Sequence, residues 1–388
     1  MKVIRDLIAD YSKNLMLVLA IAIGVFGIGS IMGSYAVLSR EMTSNYMSSE
    51  AASATLEIDG NISTTLLDSV RKFPGIKEAE RRATIAGRMK INEQWHPILF
   101  FVIDDFEKMK ISKFRHLSGA RTPTDGMMLV ERTALTVMQA NEGDVITIRT
   151  PHGNQQTLKI SGVVHDPALA PAWQEQAGYG YITMGTLKAL GENPGFDLLR
   201  FQVTENEYSR QDITHKGEAL ADWLKQSGTE IHEIQVPPPG KHPHQSQMEA
   251  VLSIFTVFSF MILILGSILV ATSMATLMVK QVRQIGVMKT IGGTSYQITM
   301  MYFLMMLMVC VVALLIAIPL SRLAAFGFYT QIAKLLNLEI IDSSIPIRVP
   351  FIQITSGIVI PMIAAAVPLI RGCRINVRAA LDNYGVSS

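Results

Sequence analysis

Four stretches of this chain, residues 15–38, 251–279, 298–320 and 351–370, are apolar over lengths that water-soluble domains do not ordinarily sustain. A helix needs about 20 apolar residues to cross the hydrocarbon core of a bilayer, and all four runs reach that length. Composition agrees: 49% of the 388 residues are hydrophobic and only 17% are charged, against roughly 25% charged in typical soluble domains. The first run, LMLVLAIAIGVFGIGSIMGSYAVL, carries no charge. A cleaved signal peptide would have an apolar region of about 7–15 residues ending in a small-residue cleavage site, so this run is expected to remain as a span. Residues 251–279 would form a helix about 43 Å long against a hydrocarbon core of roughly 30 Å, which predicts tilt or a stalk beyond the membrane. In the fourth run Pro350 fits a first helical turn, whereas Pro361 and Pro368 predict kinks, tolerable where neighbours satisfy the freed carbonyls.

The charges set an orientation. With the N-terminus inside, Lys2, Arg5, Lys13, Lys280, Arg283, Lys289, Arg371, Arg374 and Arg378 gather on one side, and the short loop 323–349 keeps only Lys334 and Arg348 on the other. The positive-inside rule favours this arrangement and puts both termini in the cytoplasm, with the long segment 39–247 outside. The expected fold class is an α-helical membrane protein with four transmembrane helices and an α+β extracytoplasmic domain inserted between the first and second. Along the chain this gives an interfacial amphipathic helix at 1–14, spans at 15–38, 251–279, 298–320 and 351–370, a cytoplasmic loop at 280–297, a short outer loop at 323–349 and a cytoplasmic tail at 371–388. The net charge of +2 gives no argument for a nucleic-acid partner. The two cysteines, Cys310 and Cys373, lie in or beside apolar runs, which excludes a disulfide framework.

Alternating runs at 54–58, 99–103, 145–149, 158–164 and 199–203 of the inserted segment predict strands. Helical spacing with stop signals predicts helices at 63–73, 132–138 and 211–226. The stretch PPPGKHPH at 237–244 is expected to be a stiff, extended linker into the second span. Candidate chemistry here is thin. His242 and His244 have no third ligand nearby and read as solvated, because a closed metal site usually needs four. Asp104 and Asp105 are adjacent, so on a strand they point to opposite faces, and a turn explains them better than paired acids. The run PALAPAWQEQAGYGY at 167–181, with Trp173, Tyr179 and Tyr181, reads equally as a loop for a hydrophobic ligand or partner and as a loop packed by its own aromatics. GxxxxGK[ST], HExxH and GxSxG motifs are absent from the sequence, so no catalytic site, bound cofactor or metal is assigned to the chain.

The loop after the second span, KQVRQIGVMKTIGGTSYQ, is the most informative short segment. Val282, Ile285, Met288 and Ile291 recur at helical spacing around Gly286, with Arg283 and Lys289 on other faces and Gly292-Gly293 as a stop. That pattern predicts a short amphipathic helix at the membrane edge, able to rest on lipid or to fill a groove on a cytoplasmic protein. In the first span Gly29 and Gly33 form a GxxxG, a spacing that permits close helix contact in a dimer.

The segment VRQIGVMKTIGGTSYQI resembles the coupling-helix signature of FtsX-like, or MacB/LolC/LolE-type, ABC transporter permeases, and one span, a large outer domain and three further spans is that family's layout. His116-Leu-Ser-Gly119, Met128-Leu-Val-Glu131, Glu142-Gly-Asp-Val145 and Ile160-Ser-Gly-Val-Val164 are similar to its periplasmic core pattern, and RGCRINVRAAL at 371–381 is similar to its ending. Many relatives carry acidic residues where this chain has Gln281 and Gln284. The resemblance implies a location in the bacterial cytoplasmic (inner) membrane. Its implied partners are a cytoplasmic ATPase dimer on separate chains, which uses ATP and grips Val282, Arg283, Ile285, Gly286, Met288, Lys289, Ile291 and Gly292, a second permease copy or paralogue, and a periplasmic adaptor. It implies mechanotransmission, in which membrane helices act as levers on the outer domain to export or extract a lipoprotein, lipid, peptide or hydrophobic compound. A lever that regulates an outer hydrolase or a signalling kinase stands as the alternative, with a membrane-anchored binding module as a weaker third.

Overall fold

The computed structural model describes residues 11–192 and 195–375, with the backbone alone at 11–14. Residues 1–10 of the expected interfacial helix and 376–388 of the expected tail lie outside the described residues. The chain order is α1 (Tyr11–Ser48), β1 (Ala54–Ile58), α2 (Thr64–Arg71), β2 (Ile76–Ile91), β3 (Gln94–Ile103), β4 (Arg115–Gly119), β5 (Met127–Glu131), α3 (Arg132–Met138), β6 (Val145–Arg149) and β7 (Gln155–His165). It continues with α4 (Ala172–Glu175), β8 (Gly178–Thr183), α5 (Met184–Ala189), β9 (Leu198–Val203), α6 (Arg210–Gln226), β10 (Ile231–Gln235), α7 (Gln245–Thr290), α8 (Ser295–Leu335) and α9 (Arg348–Cys373). Among the described residues two bodies result: a helical one built from 11–39, 247–332 and 341–375, and an inserted one built from Arg40–Ser246 with Ala333–Ile340.

The four helices α1, α7, α8 and α9 are each long and apolar enough to cross a membrane. At 38, 46 and 41 residues the first three exceed the ~20 residues that a span requires. The helix α7 continues through 280–290 without a break, so the short helix expected there is the last part of α7 itself. Likewise α8 runs past Pro319 to Leu335 instead of ending near 320. Ala325, Tyr329 and Ala333 are buried at a four-residue interval and keep one packed face going after the proline. In α9 both Pro361 and Pro368 lie inside the helix.

Glycines set how closely the helical body packs. A Cβ at Gly24 would lie 2.7 Å from Leu263 Cα, and one at Gly266 would lie 2.7 Å from the Ala20 carbonyl oxygen, so α1 and α7 interlock through one glycine each. Gly29 leaves room for the Gln353 side chain of α9: a Cβ there would overlap the Gln353 amide and approach Ser321 Oγ at 2.6 Å. The Gln353 amide is buried and satisfied, with Nε2 donating to the Val25 carbonyl at 3.1 Å and to Ser321 Oγ at 3.0 Å. Gly33 faces Ile345 and Ala325. The close approach that the GxxxG spacing suggested between two chains is thus made within one, by α1 against α8, α9 and the segment before α9. Cys310 and Cys373 are free thiols buried in this body.

In the inserted body, ten strands form one mixed sheet in the order β10-β1-β9-β2-β3-β8-β5-β7-β4, with β6 pairing β2 and β7. The pairs β3·β8 and β5·β7 are parallel, and every other pair is antiparallel. All five predicted strand runs fall in strands. The sixteen-residue β2, IKEAERRATIAGRMKI, has no apolar alternation strong enough to announce it. Its Ala79, Ala83 and Met89 join Leu56, Phe100, Met128 and Phe201 in an apolar core under α2, α3, α5 and α6, while Glu80 and Arg82 alternate to the other face. In β8 the glycines of GYGYIT give way to large neighbours, since a Cβ at Gly180 would meet the Phe100 ring at 3.0 Å. Tyr179 and Tyr181 therefore sit in a central strand, buried against Phe101. Two large rings on one strand need a flat neighbour, and Phe101 opposite Tyr181 supplies it.

Gly29→Ala is expected to destabilise the helical body by about 1–3 kcal/mol, the usual cost of overpacking a filled site. Gln353→Ala is expected to cost a similar amount by orphaning its partners. The double variant should lose less than the sum of the two, because the new methyl then occupies the vacated space. Thermal unfolding in mild detergent checks this, and strict additivity would refute the contact.

Candidate functional site

The hairpin between α7 and α8 is fixed by backbone chemistry at both of its sides. Gly292 has φ +98°, a left-handed conformation that glycine adopts without steric cost. Its amide donates to the Lys289 carbonyl at 3.1 Å, and the Gly293 amide donates to the Met288 carbonyl at 2.9 Å. This paired arrangement closes α7 as a Schellman motif. Two residues on, the Thr294 amide donates to Gln297 Oε1 at 3.0 Å and the Gln297 amide donates to Thr294 Oγ1 at 3.3 Å. That reciprocal capping box starts α8.

The hairpin's apolar side chains divide between two faces, and the division differs from the sequence expectation. Ile285, 1% exposed, joins Met274 and Met278 in the helical body's core, and Met288 packs beside them. Gly286 is buried, Val282 is half-buried, and Lys289 Nζ donates to the Ile375 carbonyl at 2.8 Å. The inward stripe of the span simply continues through 285 and 288. The outward stripe is Arg283, Val287 and Ile291 at a four-residue interval, joined by Tyr296 from α8. Ile291 is 80% and Tyr296 78% exposed. Sequence reasoning included Ile291 but missed Val287, which extending the outer stripe from Arg283 by fours would have flagged, and Tyr296, which lies beyond the turn in α8. Gln281 is hydrogen-bonded by the Tyr302 hydroxyl.

At its far end α8 is closed by the same device, within the inserted body. Asn337 has φ +60°, a conformation that asparagine tolerates better than most side chains. The Leu338 amide donates to the Ala333 carbonyl at 2.8 Å and the Asn337 amide to Lys334 at 3.3 Å. Asn337 Nδ2 donates to Glu131 Oε1 at 2.7 Å, and Arg132 Nη2 donates to the Asn337 carbonyl at 3.1 Å while its Nε bonds the Asn337 side chain. Glu339 is paired with Arg132 at 3.1 Å and with Arg115, and its carbonyl accepts from Asn45 Nδ2 at 2.9 Å. Trp173, a candidate for an external ligand, instead donates its indole N–H to the Leu335 carbonyl at 2.8 Å, one of the last carbonyls of a helix that lack an internal partner.

Electrostatics favour this clamp when its acids are ionised. Burial by itself would raise Glu131, but His165, Thr133 and Asn337 around it outweigh burial and hold its carboxyl below the ordinary 4.5. His165 Nδ1 is 3.6 Å away, beyond good hydrogen-bonding range, so the Thr133 and Asn337 donors are the firm contacts. Glu339 behaves likewise: burial pushes it up, and Arg115, His165 and Arg132 bring it below 4.5.

The remaining candidates resolve into structural roles. Arg81 holds Asp104 through two bonds of 2.7 and 2.9 Å, and Asp105 Oδ1 accepts from the Glu107 and Lys108 amides, which makes a turn. His242 is not solvated as expected but buried: its ring lies 5.4 Å from Tyr46 and its Nδ1 accepts from the His244 amide. Burial first, then His244, lowers its pKa to about 4, so it is neutral at physiological pH. Among the described residues no cluster of His, Cys, Asp and Glu suits a metal ion.

Residues 256–377, which contain α8, α9, most of α7 and the hairpin between α7 and α8, match the FtsX-like permease C-terminal family. No curated protein matches the sequence. Among solved structures, the periplasmic region of MacB from Actinobacillus actinomycetemcomitans is 10% identical with a TM-score of 0.33, covering 53% of this chain and 95% of that one. The extracellular domain of the ABC-type transporter YknZ from Gram-positive bacteria is 12% identical with a TM-score of 0.32, covering 46% of this chain and 100% of that one.

Asn337→Leu should destabilise the 333–340 segment by about 1–3 kcal/mol, through the lost donors and the strained backbone. Hydrogen exchange at those amides should accelerate accordingly. Because both folded-state carboxyl pKa values are depressed, the clamp's contribution is fully present above pH 4.5 and is lost as pH falls through the folded values. Protection factors at 333–340, corrected for the intrinsic exchange rate at each pH, that stay unchanged well below pH 4.5 would contradict this.

Proposed function

We propose that this chain is the permease subunit of an ABC transporter in the bacterial cytoplasmic membrane, driven by a separate ATPase that works as a dimer. The inserted body lies outside and both termini lie in the cytoplasm. ATP is bound and used by the partner, and this chain contributes no nucleotide chemistry. The complex pairs this permease with a second copy or a paralogue, and a periplasmic adaptor fits the same scheme. Its work is export or extraction of a lipoprotein, lipid, peptide or hydrophobic compound by mechanotransmission.

One observation carries the reading: a capped hairpin exposes Arg283, Val287, Ile291 and Tyr296 at the junction of two unbroken helices of 46 and 41 residues. A soluble domain that binds this tip displaces the ends of rods about 69 and 62 Å long at 1.5 Å per residue. The helix α8 is continuous from that tip to Leu335, where the Glu131, Arg132 and Trp173 contacts hold its end. A push at one end is therefore delivered at the other with little absorbed by fraying. ATP-driven closure of the partner biases such an element between two positions by its differential affinity for them. The match of residues 256–377 to FtsX-like permeases supports the same reading.

The test uses the outward stripe. Ile291→Asp combined with Tyr296→Ala should lower copurification of the ATPase and its stimulation by the permease by about 10-fold or more, the effect of removing an interface hot spot. The unfolding temperature should stay near that of the parent, since both side chains are exposed. Undiminished ATPase association in the double variant would remove the basis for the hairpin as the coupling site. Ile285→Asp serves as the contrast, because a charge placed in the core should unfold the helical body.

A further inference from the structure

The face of the sheet opposite the apolar core carries a buried charge arrangement that the proposed permease role does not use. The registers place Thr55 and Glu80 beside Arg200, Arg82 beside Ile103, and Phe101 between Thr84 and Tyr181. This face is covered within the inserted body by Tyr46, by Phe114, and by the segments containing Asp166 and Pro237, which leaves a cavity of about 170 Å³. Its lining is about half polar and half apolar, the apolar part including Phe101, Phe114 and Tyr181. At about 30 Å³ per water it has room for roughly five waters, or for one small organic molecule.

Its guanidinium donors are not all used. Arg82 is 5% exposed, and its Nη2 donates to Glu80 Oε2 at 2.7 Å and to the Ile111 carbonyl at 3.1 Å, but its Nε has no partner. The other oxygen of Glu80 is occupied by the backbone amides of Lys110 and Ile111. Asp166 is buried, with Oδ2 accepting from the Tyr181 hydroxyl at 2.7 Å and Oδ1 from the Ala168 amide at 2.9 Å. Burial pushes the Asp166 carboxyl up, and the nearby Arg200 charge opposes that. Arg200 is half-buried and forms no hydrogen bond or ion pair among the described residues, although Glu80 is its direct cross-strand neighbour. A guanidinium without a hydrogen bond thus lies beside an orphaned N–H of a second, and burying such donors without partners is costly.

We propose that this cavity binds a small organic monocarboxylate, with its carboxylate on Arg200 and Arg82 Nε and its apolar part against Phe101, Phe114 and Tyr181. A planar carboxylate matches the forked, unfilled donors of guanidinium. The apolar part of the lining selects a ligand with an apolar body over a bare inorganic anion. The site lies within the inserted body and is separate from the hairpin, so it stands or falls independently of the ATPase reading.

Benzoate is the probe, with benzamide as its uncharged isostere and inorganic phosphate as the bare anion, each titrated onto the full-length protein in lipid nanodiscs by ligand-observed NMR. Benzoate should bind at millimolar concentration or below, and at least ~10-fold more tightly than either comparator. Arg200→Gln should weaken benzoate by ~10-fold or more with little change in the unfolding temperature, because Arg200 makes no hydrogen bond that would be lost. Phe114→Ala should weaken benzoate while leaving the ranking of charged over neutral probe intact. Absence of benzoate binding, equal binding of benzamide, preference for phosphate, or binding unchanged in Arg200→Gln would each overturn the proposal and leave the cavity to water.

Discussion

Hydrocarbon offers no hydrogen bonds, so each amide of a chain crossing it must be paired inside the chain, and the unpaired groups gather at helix ends. How those ends are closed decides whether the helix behaves as a rod or frays. In this protein α7 ends on left-handed Gly292, α8 begins on the Thr294 and Gln297 box, and α8 ends on left-handed Asn337. Three local motifs thus turn two apolar runs into members of defined length. The hairpin surface, the clamp around Glu339 and the proposed transmission between them all depend on those closures.

The apolar runs were legible because length alone identifies a span. Where the helices stop was less so. Pro319 reads as an ending in a soluble protein, yet α8 continues through it with Ala325, Tyr329 and Ala333 still packed. In the inserted body, strands with clean alternation were readable, but β2 was not. Its Glu80 and Arg82 look like solvated charges, and only the tertiary fold shows that they are covered and partly paired. The strand β8 was hidden for a different reason: its glycines look like loop chemistry until Phe100 is seen to need their space.

The site readings show what periodicity does and does not contain. Spacing says which side chains share a helical face, but not whether that face looks inward or outward. Ile285, Met288 and Ile291 were grouped from the sequence, whereas the fold sends the first two to the core and leaves the third in the open. The pair Gly29 and Gly33 poses the same problem, since close approach is encoded but the identity of the approaching helix is not. Trp173 was singled out for its chemistry, and its partner, the Leu335 carbonyl, is 162 residues away in sequence. No local signal carries such a pairing.

Both native thiols, Cys310 and Cys373, have no measurable exposure. The surface is therefore silent toward maleimide and nitroxide reagents without any prior substitution. A single cysteine introduced at Ile291 or Tyr296 would be the sole reactive handle on the molecule. Spectroscopic rulers anchored at one end of α7 or α8 can then be read against a background that the fold itself has already blanked.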